Sequence, residues 1–247
     1  MLDGAAAAWR EAQTCEARGG ANADGRAAPP PLPPRALECG CGAGNTAFPL
    51  LELAEELHPG MPLRVSAFDF APNAVRLVTE HERYDPERVD AFVCDLASEG
   101  TPHPLVAHVG AGNCHAATLV FVLSALSPQS MPRALAAIGE ALAPGAVMLV
   151  RDYAAGDLAE ERFVGKGGGD CGSSRQLGER FYVRGDGTRA YFFERDELVG
   201  LVERHAGLRL RRADVQERKI ENRKMGMVME RRWLQAVFEK PTTFRGE

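Results

Sequence analysis

The chain has 247 residues, enough for one α/β domain with an appended subdomain, and its 45% hydrophobic and 26% charged content is ordinary for a globular protein. Its net charge of −5 argues against a uniformly basic nucleic-acid binder, yet residues 151–247 hold 20 Lys and Arg against 17 Asp and Glu, leaving 9 against 17 in residues 1–150. No apolar run approaches the roughly 20 residues that span a bilayer, and the acids Asp3, Glu11 and Glu16 suit neither a secretory signal nor a transit peptide. The positive C-terminal half permits a local phosphate-binding face, although a solvated charged surface accounts for it equally. Cys15, Cys39, Cys41, Cys94, Cys114 and Cys171 are scattered rather than framed, which points to a reduced compartment.

Residues 1–34 are low in complexity, Ala-rich and then Pro-rich from Pro29 to Pro34, and are expected to form a disordered or extended leader. The domain is expected over 35–241, with a tail at 242–247. A short apolar run ending at Cys39 predicts the first strand. Apolar positions 50, 51, 53, 54 and 57 predict a helix from Phe48 to His58. Arg64–Phe68 predicts a strand closing on Asp69, Ala74–His81 a helix, and Val89–Cys94 a strand closing on Asp95. Residues 97–114 read as a loop without period. Ala116–Leu123 is a continuous apolar run, as a buried parallel strand should be. A helix from Ser127 to Leu142 and a strand at Val147–Val150 complete five βα units. Residues 164–178 read as a glycine-rich loop, and Arg180–Phe193 as a hairpin-like excursion turning at Gly185-Asp186-Gly187. A helix over 194–207 and strands near 208–219 and 228–239 close the chain. Five βα units and an antiparallel pair predict an α/β, Rossmann-like, seven-stranded sheet with helices on both faces.

The chemistry centres on Glu38-Cys39-Gly40-Cys41-Gly42-Ala43-Gly44-Asn45, a strand leading through glycines into a helix. Glycines allow close backbone approach to a ligand, and the helix N-terminus behind them favours a carboxylate. The dinucleotide fingerprint needs glycine where Asn45 stands, which weakens a nicotinamide-dehydrogenase reading. The spacing Glu-x-Gly-x-Gly-x-Gly looks instead like the cofactor loop of class I S-adenosylmethionine-dependent methyltransferases. Gly40, Gly42 and Gly44 are therefore candidate cofactor residues. Asp69, at a strand's C-terminal end, is placed to accept from a ribose diol. Asp95, at the next strand end, is placed to accept from an adenine amine, with Leu96 and Val120 as apolar walls. Each Asp alone would read as an N-cap or turn residue; two at consecutive strand ends after this loop favour ligand binding. Cys39 and Cys41 lack a second pair or a nearby His, so packing is preferred and no metal site is assigned.

Longer phrases carry a narrower resemblance. The glycine loop with Phe48-Pro49-Leu50-Leu51, Phe68-Asp69-Phe70-Ala71-Pro72-Asn73-Ala74-Val75, Cys94-Asp95-Leu96 and Val120 to Pro128 are four of them. Val150-Arg151-Asp152-Tyr153 and Phe181 to Phe193 complete the set. Together they resemble the methyltransferase-like tRNA 3-methylcytidine methyltransferases over roughly residues 35–241. The resemblance implies S-adenosyl-L-methionine as cofactor, tRNA as substrate, and methyl transfer to N3 of cytidine at position 32 of anticodon loops. It also implies cofactor contacts at Gly40, Asp69, Asp95, Leu96 and Val120. Relatives are implied to act in the cytosol or mitochondria, some with a partner such as seryl-tRNA synthetase.

Cytosine N3 offers a free lone pair near neutral pH, so positioning and electrostatics carry the reaction. Methylation leaves positive charge on the ring. Asp152 is the candidate carboxylate for it, with Arg151 and Tyr153 positioning a nucleotide that has left its stack. Arg184, Asp186 and Arg189 are candidates to hold phosphate or ribose, or else form a charged turn. Relatives carry an aromatic and Arg-rich segment before the glycine loop; residues 1–34 show only Trp9 and no match. Two further readings stand beside this one: a methyltransferase acting on a protein or small metabolite, and a non-catalytic methyltransferase-like binding module.

Overall fold

A computed structural model describes residues 33–164, 176–222 and 227–242. The expected leader up to residue 32, the glycine-rich loop over 165–175 and the tail over 243–247 lie outside the described residues. Strand β1 (Arg35–Cys39) leads to α1 (Ala47–Leu57), β2 (Arg64–Asp69), α2 (Pro72–Thr79) and β3 (Val89–Val93). Then come α3 (Pro104–Val109), β4 (Cys114–Val120), a one-turn 3-10 helix (Leu123–Ala125), α4 (Met131–Ala141) and β5 (Leu142–Tyr153). After α5 (Leu158–Val164) a small sheet of β6 (Gln176–Gly178), β7 (Phe181–Val183) and β8 (Arg189–Tyr191) precedes α6 (Arg195–Ala206), β9 (Arg209–Asn222) and β10 (Met227–Glu239).

The main sheet has seven strands in the order β3-β2-β1-β4-β5-β10-β9. The first five pair in parallel, and β10 runs antiparallel to both β5 and β9. This is the predicted α/β architecture, including its closing antiparallel pair. Successive side chains of a strand point to opposite faces, so β1 divides itself between two cores. Leu37 and Cys39 join the cluster of α4 and α6 (Leu135, Ile138, Leu198, Val202), while Ala36 joins that of α1 (Phe48, Leu50, Leu51, Ala54). Helices therefore cover both faces. Strand order reverses between β1 and β4, the switch point at which open sheets leave a crevice beyond the strands' carboxyl ends.

Several boundaries differ from the sequence reading, each for a local reason. The apolar run expected to continue to Leu123 stops at Val120, because Phe121 takes φ +58° and turns the chain into the 3-10 helix. The expected loop 97–114 contains α3, six residues too short to show a period; Pro104 opens it and His103 Nδ1 accepts the Leu105 N–H at 3.1 Å. Helix α5 was likewise not foreseen. The fifth strand is longer than expected, 12 residues, because β10 pairs along it from Val147 to Tyr153. The excursion at 180–193 is a hairpin as read, with Arg184 N–H to Thr188 O at 2.7 Å closing its turn. Helix α6 carries a reciprocal capping box between Glu194 and Glu197 and ends on Gly207 at φ +66°, which makes its bounds legible.

Candidate active site

The crevice at the carboxyl ends of β1–β4 is a cavity of about 580 Å³, within the range of small-molecule sites. Its wall takes Gly40 from the loop after β1, Asp69 and Phe70 from the end of β2, and Cys94–Ala97 from beyond β3. Phe121 and Val122 follow β4, Ala125 ends the 3-10 helix and Leu126 and Ser127 follow it, and Asp186–Arg189 come from the β7–β8 hairpin.

Gly40, Gly42 and Gly44 have φ of +65°, +52° and +83°, a region that disfavours side chains. Space adds a second constraint at two of them. A Cβ on Gly40 would stand 2.7 Å from Val122 Cγ2, and one on Gly44 would stand 2.5 Å from Phe48 Cε2, whereas at Gly42 it would meet nothing within 4 Å. The loop is tied to its neighbours by Cys41 N–H to Phe68 O at 2.9 Å and Gly42 N–H to Asp69 Oδ2 at 3.0 Å. Asp69 Oδ1 accepts the Ala71 N–H at 2.9 Å. Each carboxylate oxygen thus takes one backbone donor and retains acceptor capacity for a diol.

Glu38 is 4% exposed beneath this loop. Its Oε1 accepts the Thr46 N–H at 3.2 Å, while Oε2 is buried without a hydrogen-bond partner. Burial is the main cause that pushes its carboxyl up to about 7, and the nearby Asp69 adds to it. A buried acceptor without a donor, a glycine cradle and a diol-ready carboxylate fit a nucleoside with a cationic amino-acid arm.

Asp95 is exposed and turns its Oδ1 back to the Ala97 N–H at 2.8 Å, and Leu96 is 4% exposed in the same wall. Val120 stands outside the cavity lining and is 40% exposed; Val122 takes the corresponding place over Gly40. Asp186 and Arg189 line the cavity. Asp186 Oδ1 accepts from both the Thr188 N–H at 2.9 Å and the Thr188 hydroxyl at 2.6 Å, which depress its carboxyl pKa.

The residues of Arg151-Asp152-Tyr153 do not share one face, because strand alternation sends Asp152 to the side opposite Arg151 and Tyr153. Asp152 shares a face with buried Val150 and Ala154 and is fully buried behind the cavity wall. Its Oδ2 accepts from Ser124 N–H at 3.0 Å and its Oδ1 from Tyr153 N–H at 2.9 Å. Burial pushes its carboxyl up to about 6, opposed by these donors. Asp152 thereby anchors the 3-10 helix, whose last residue, Ala125, lines the cavity. Arg151 and Tyr153 occupy the other face. The Arg151 guanidinium lies 4.8 Å from the Trp233 ring and 5.8 Å from the Phe121 ring, and that of Arg184 lies 5.0 Å from the Tyr153 ring. Such stacking restrains the planar guanidinium groups against the rings. Phe121, Val122 and Ser124 were missed by sequence reasoning. An apolar run carries no signal for the residue at which it turns.

Cys39 and Cys41 are 1% and 3% exposed, and burial raises both thiols, that of Cys41 to about 12. They pack in different cores, because β1 ends at Cys39 and the chain turns at Gly40, φ +65°, before Cys41.

Residues 16–213 match the model of a methyltransferase domain family. The chain is 43% identical over 206 residues to a tRNA N(3)-cytidine methyltransferase METTL2 of Danio rerio, covering 83% of this chain and 54% of that protein. It is 42% identical over 205 residues to the METTL6 protein of the same description from Mus musculus, covering 83% of this chain and 66% of that one. The chain therefore spans about half the length of the METTL2 relatives it matches. A SAM-dependent methyltransferase structure from Methanosarcina mazei superposes with a TM-score of 0.60 at 18% identity, covering 86% of this chain and 95% of that one, and shares the fold. With its glycine loop, strand-end carboxylates and sheet order, the chain belongs to the methyltransferase domain family.

Proposed function

We propose that this chain transfers a methyl group from S-adenosyl-L-methionine to N3 of cytidine in a tRNA anticodon loop. The observation that carries this reading is the meeting of two different sets of residues on one cavity. Asp69, Phe70 and Cys94–Ala97, from the ends of β2 and β3, and the Asp186–Arg189 turn of the hairpin line the same cavity. The names of the relatives supply the substrate class. In this reading Gly40, Gly42, Gly44 and Asp69 hold the methionyl and ribose parts, and Asp95 and Leu96 hold the adenine. Val122 replaces Val120 as the apolar wall. The cofactor supplies the electrophilic methyl.

Arg151, Arg184 and Arg189 face the incoming RNA in this proposal, with Tyr153 as the surface that carries Arg184. Asp152 is a positioning residue that holds Ser124, because it is fully buried and stands outside the cavity lining. The reading extends to an accessory protein such as seryl-tRNA synthetase, which would present the tRNA. The test is methyl transfer from labelled S-adenosylmethionine to tRNA lacking the modification, with and without that synthetase, followed by nucleoside mass spectrometry. Product 3-methylcytidine that disappears with Asp69→Ala is expected. Cofactor binding without any labelled tRNA, even with the synthetase present, would turn the reading toward a protein or small-metabolite substrate.

A further inference from the structure

Phe121 is a bulky residue at φ +58°, a conformation its side chain disfavours, and it does so on the wall of the cavity. Strain of this kind persists where surrounding contacts enforce it, and it clusters at ligand clamps. The contacts here are specific. Phe121 N–H donates to Arg151 O at 2.8 Å, and the ring packs on Tyr153 with centroids 4.7 Å apart and planes 33° apart. The next residue, Val122, presses on Gly40, so the backbone turn that strains Phe121 also covers the glycine loop. Phe121 is only half-buried and lines the same cavity as the Asp186–Arg189 turn. The two other aromatics of the wall are Phe68, buried within β2, and Phe70, 72% exposed just beyond it.

We infer that Phe121 is the surface on which the target base stacks, and that its π face stabilises the positive charge that methylation places on that base. The inference rests on the cytidine reading above. In the reaction the N3 lone pair forms the new N–C bond while the C–S bond breaks with its electron pair going to sulfur. Atoms balance without release of a proton, and the positive charge passes from sulfur to the base. A carboxylate could also receive it, but Asp152 is fully buried and stands outside the cavity lining, while Asp186 lines the cavity with its Oδ1 held by Thr188. The face of an aromatic ring is negative and attracts a cation more strongly than a neutral base. Phe121, packed on Tyr153 and with the Arg151 guanidinium 5.8 Å from its ring, is the half-buried aromatic of the cavity wall that can offer such a face. The interaction strengthens as charge develops and so acts on the transition state more than on the bound substrate.

Replacing Phe121 in the full chain by 4-fluoro-, 3,5-difluoro- and 3,4,5-trifluorophenylalanine removes ring electron density in steps while keeping size and backbone. Each variant is compared with wild type for kcat and KM on unmodified tRNA, and for S-adenosylmethionine affinity by calorimetry. Affinity for an anticodon stem–loop with and without 3-methylcytidine is measured alongside. The expected result is a stepwise fall in kcat totalling between about 2-fold and 30-fold, with KM and cofactor affinity unchanged. The preference for the methylated stem–loop should shrink in parallel. A kcat and a product preference that stay flat across the series overturn the inference while leaving cytidine methylation standing. Wild-type protein that binds cofactor but modifies no tRNA overturns the cytidine reading and this inference with it.

Discussion

The Asp69 carboxylate fastens the glycine loop to the end of β2, with Oδ2 accepting from Gly42 N–H at 3.0 Å and Oδ1 from Ala71 N–H at 2.9 Å. One side chain thus shapes the cradle and faces the cavity it encloses. Asp69→Ala removes both acceptors from backbone donors, and hydrogen bonds to a charged group contribute about 1.5–3 kcal/mol each to the interactions they make. S-Adenosylmethionine affinity is expected to fall by roughly 10- to 100-fold in calorimetry, and the urea midpoint to drop as well. Asp69→Asn keeps the shape and one acceptor, so it should hold more of the stability than of the affinity. An Asn variant that binds the cofactor as wild type does would remove Asp69 from the ribose site.

Glu38 makes stability depend on pH in an unusual direction for a carboxylate. Burial raises its folded-state value from 4.5 to about 7, so between those pH values the folded chain keeps a proton that the unfolded chain has released. Stability contributed by this group is therefore present below about pH 4.5, falls as pH rises to about 7, and is constant above. The fall amounts to at most about 3 kcal/mol. Glu38→Gln keeps an oxygen for Thr46 N–H and does not titrate. Cofactor-free wild type and Glu38→Gln should show similar urea midpoints at pH 4 and diverge toward pH 8, with the Gln variant the more stable. Parallel stability profiles across that range would show that the buried carboxyl is not shifted.

Much of this site is readable from the chain because its residues sit where periodic elements end. Asp69 and Asp95 follow apolar runs that can only be strands, and the glycines between β1 and α1 have few other uses. Asp152 is different. Its place between Arg151 and Tyr153 invites a shared role, but a period of two sends Asp152 to the core with Val150 and Ala154 and its neighbours to the other face. The alternation was legible there, and the chemical appeal of the triplet obscured it. Phe121 lies beyond what pattern can supply. Nothing in Val120-Phe121-Val122 marks the positive φ, which arises from the Arg151 carbonyl, Val122 packing on Gly40 and the 3-10 turn acting together.

Gly40 and Gly42 separate two consequences of the same substitution. Both have positive φ, so alanine at either position costs about 1–2 kcal/mol in backbone strain. At Gly40 the added methyl also meets Val122 at 2.7 Å and must displace the residue next to Phe121. At Gly42 it enters open space. Gly40→Ala is expected to lower both the thermal midpoint and cofactor affinity. Gly42→Ala is expected to lower the midpoint only modestly, and any larger loss of affinity then reports a ligand filling the space beside it. Equal midpoints for the two variants would show that Val122 yields without cost.

Arg189 offers the sharpest test of the RNA face, since it is exposed, lines the cavity mouth and, among the described residues, forms no ion pair with a carboxylate through its side chain. Arg184 is less free: its guanidinium packs on Tyr153 and donates to Thr188 Oγ1 and Arg189 O, both at 3.3 Å. Arg189→Ala should therefore leave stability unchanged, weaken tRNA binding across sequences and reduce the slope of log affinity against log salt by about 1. Arg184→Ala should also loosen the hairpin and reduce the thermal midpoint slightly. S-Adenosylmethionine affinity should be untouched in both. Filter binding of tRNA at several salt concentrations reads the slope directly. A wild-type slope in Arg189→Ala would mean that this guanidinium meets no phosphate, and would return the Arg184–Arg189 turn to the role of a charged hairpin end.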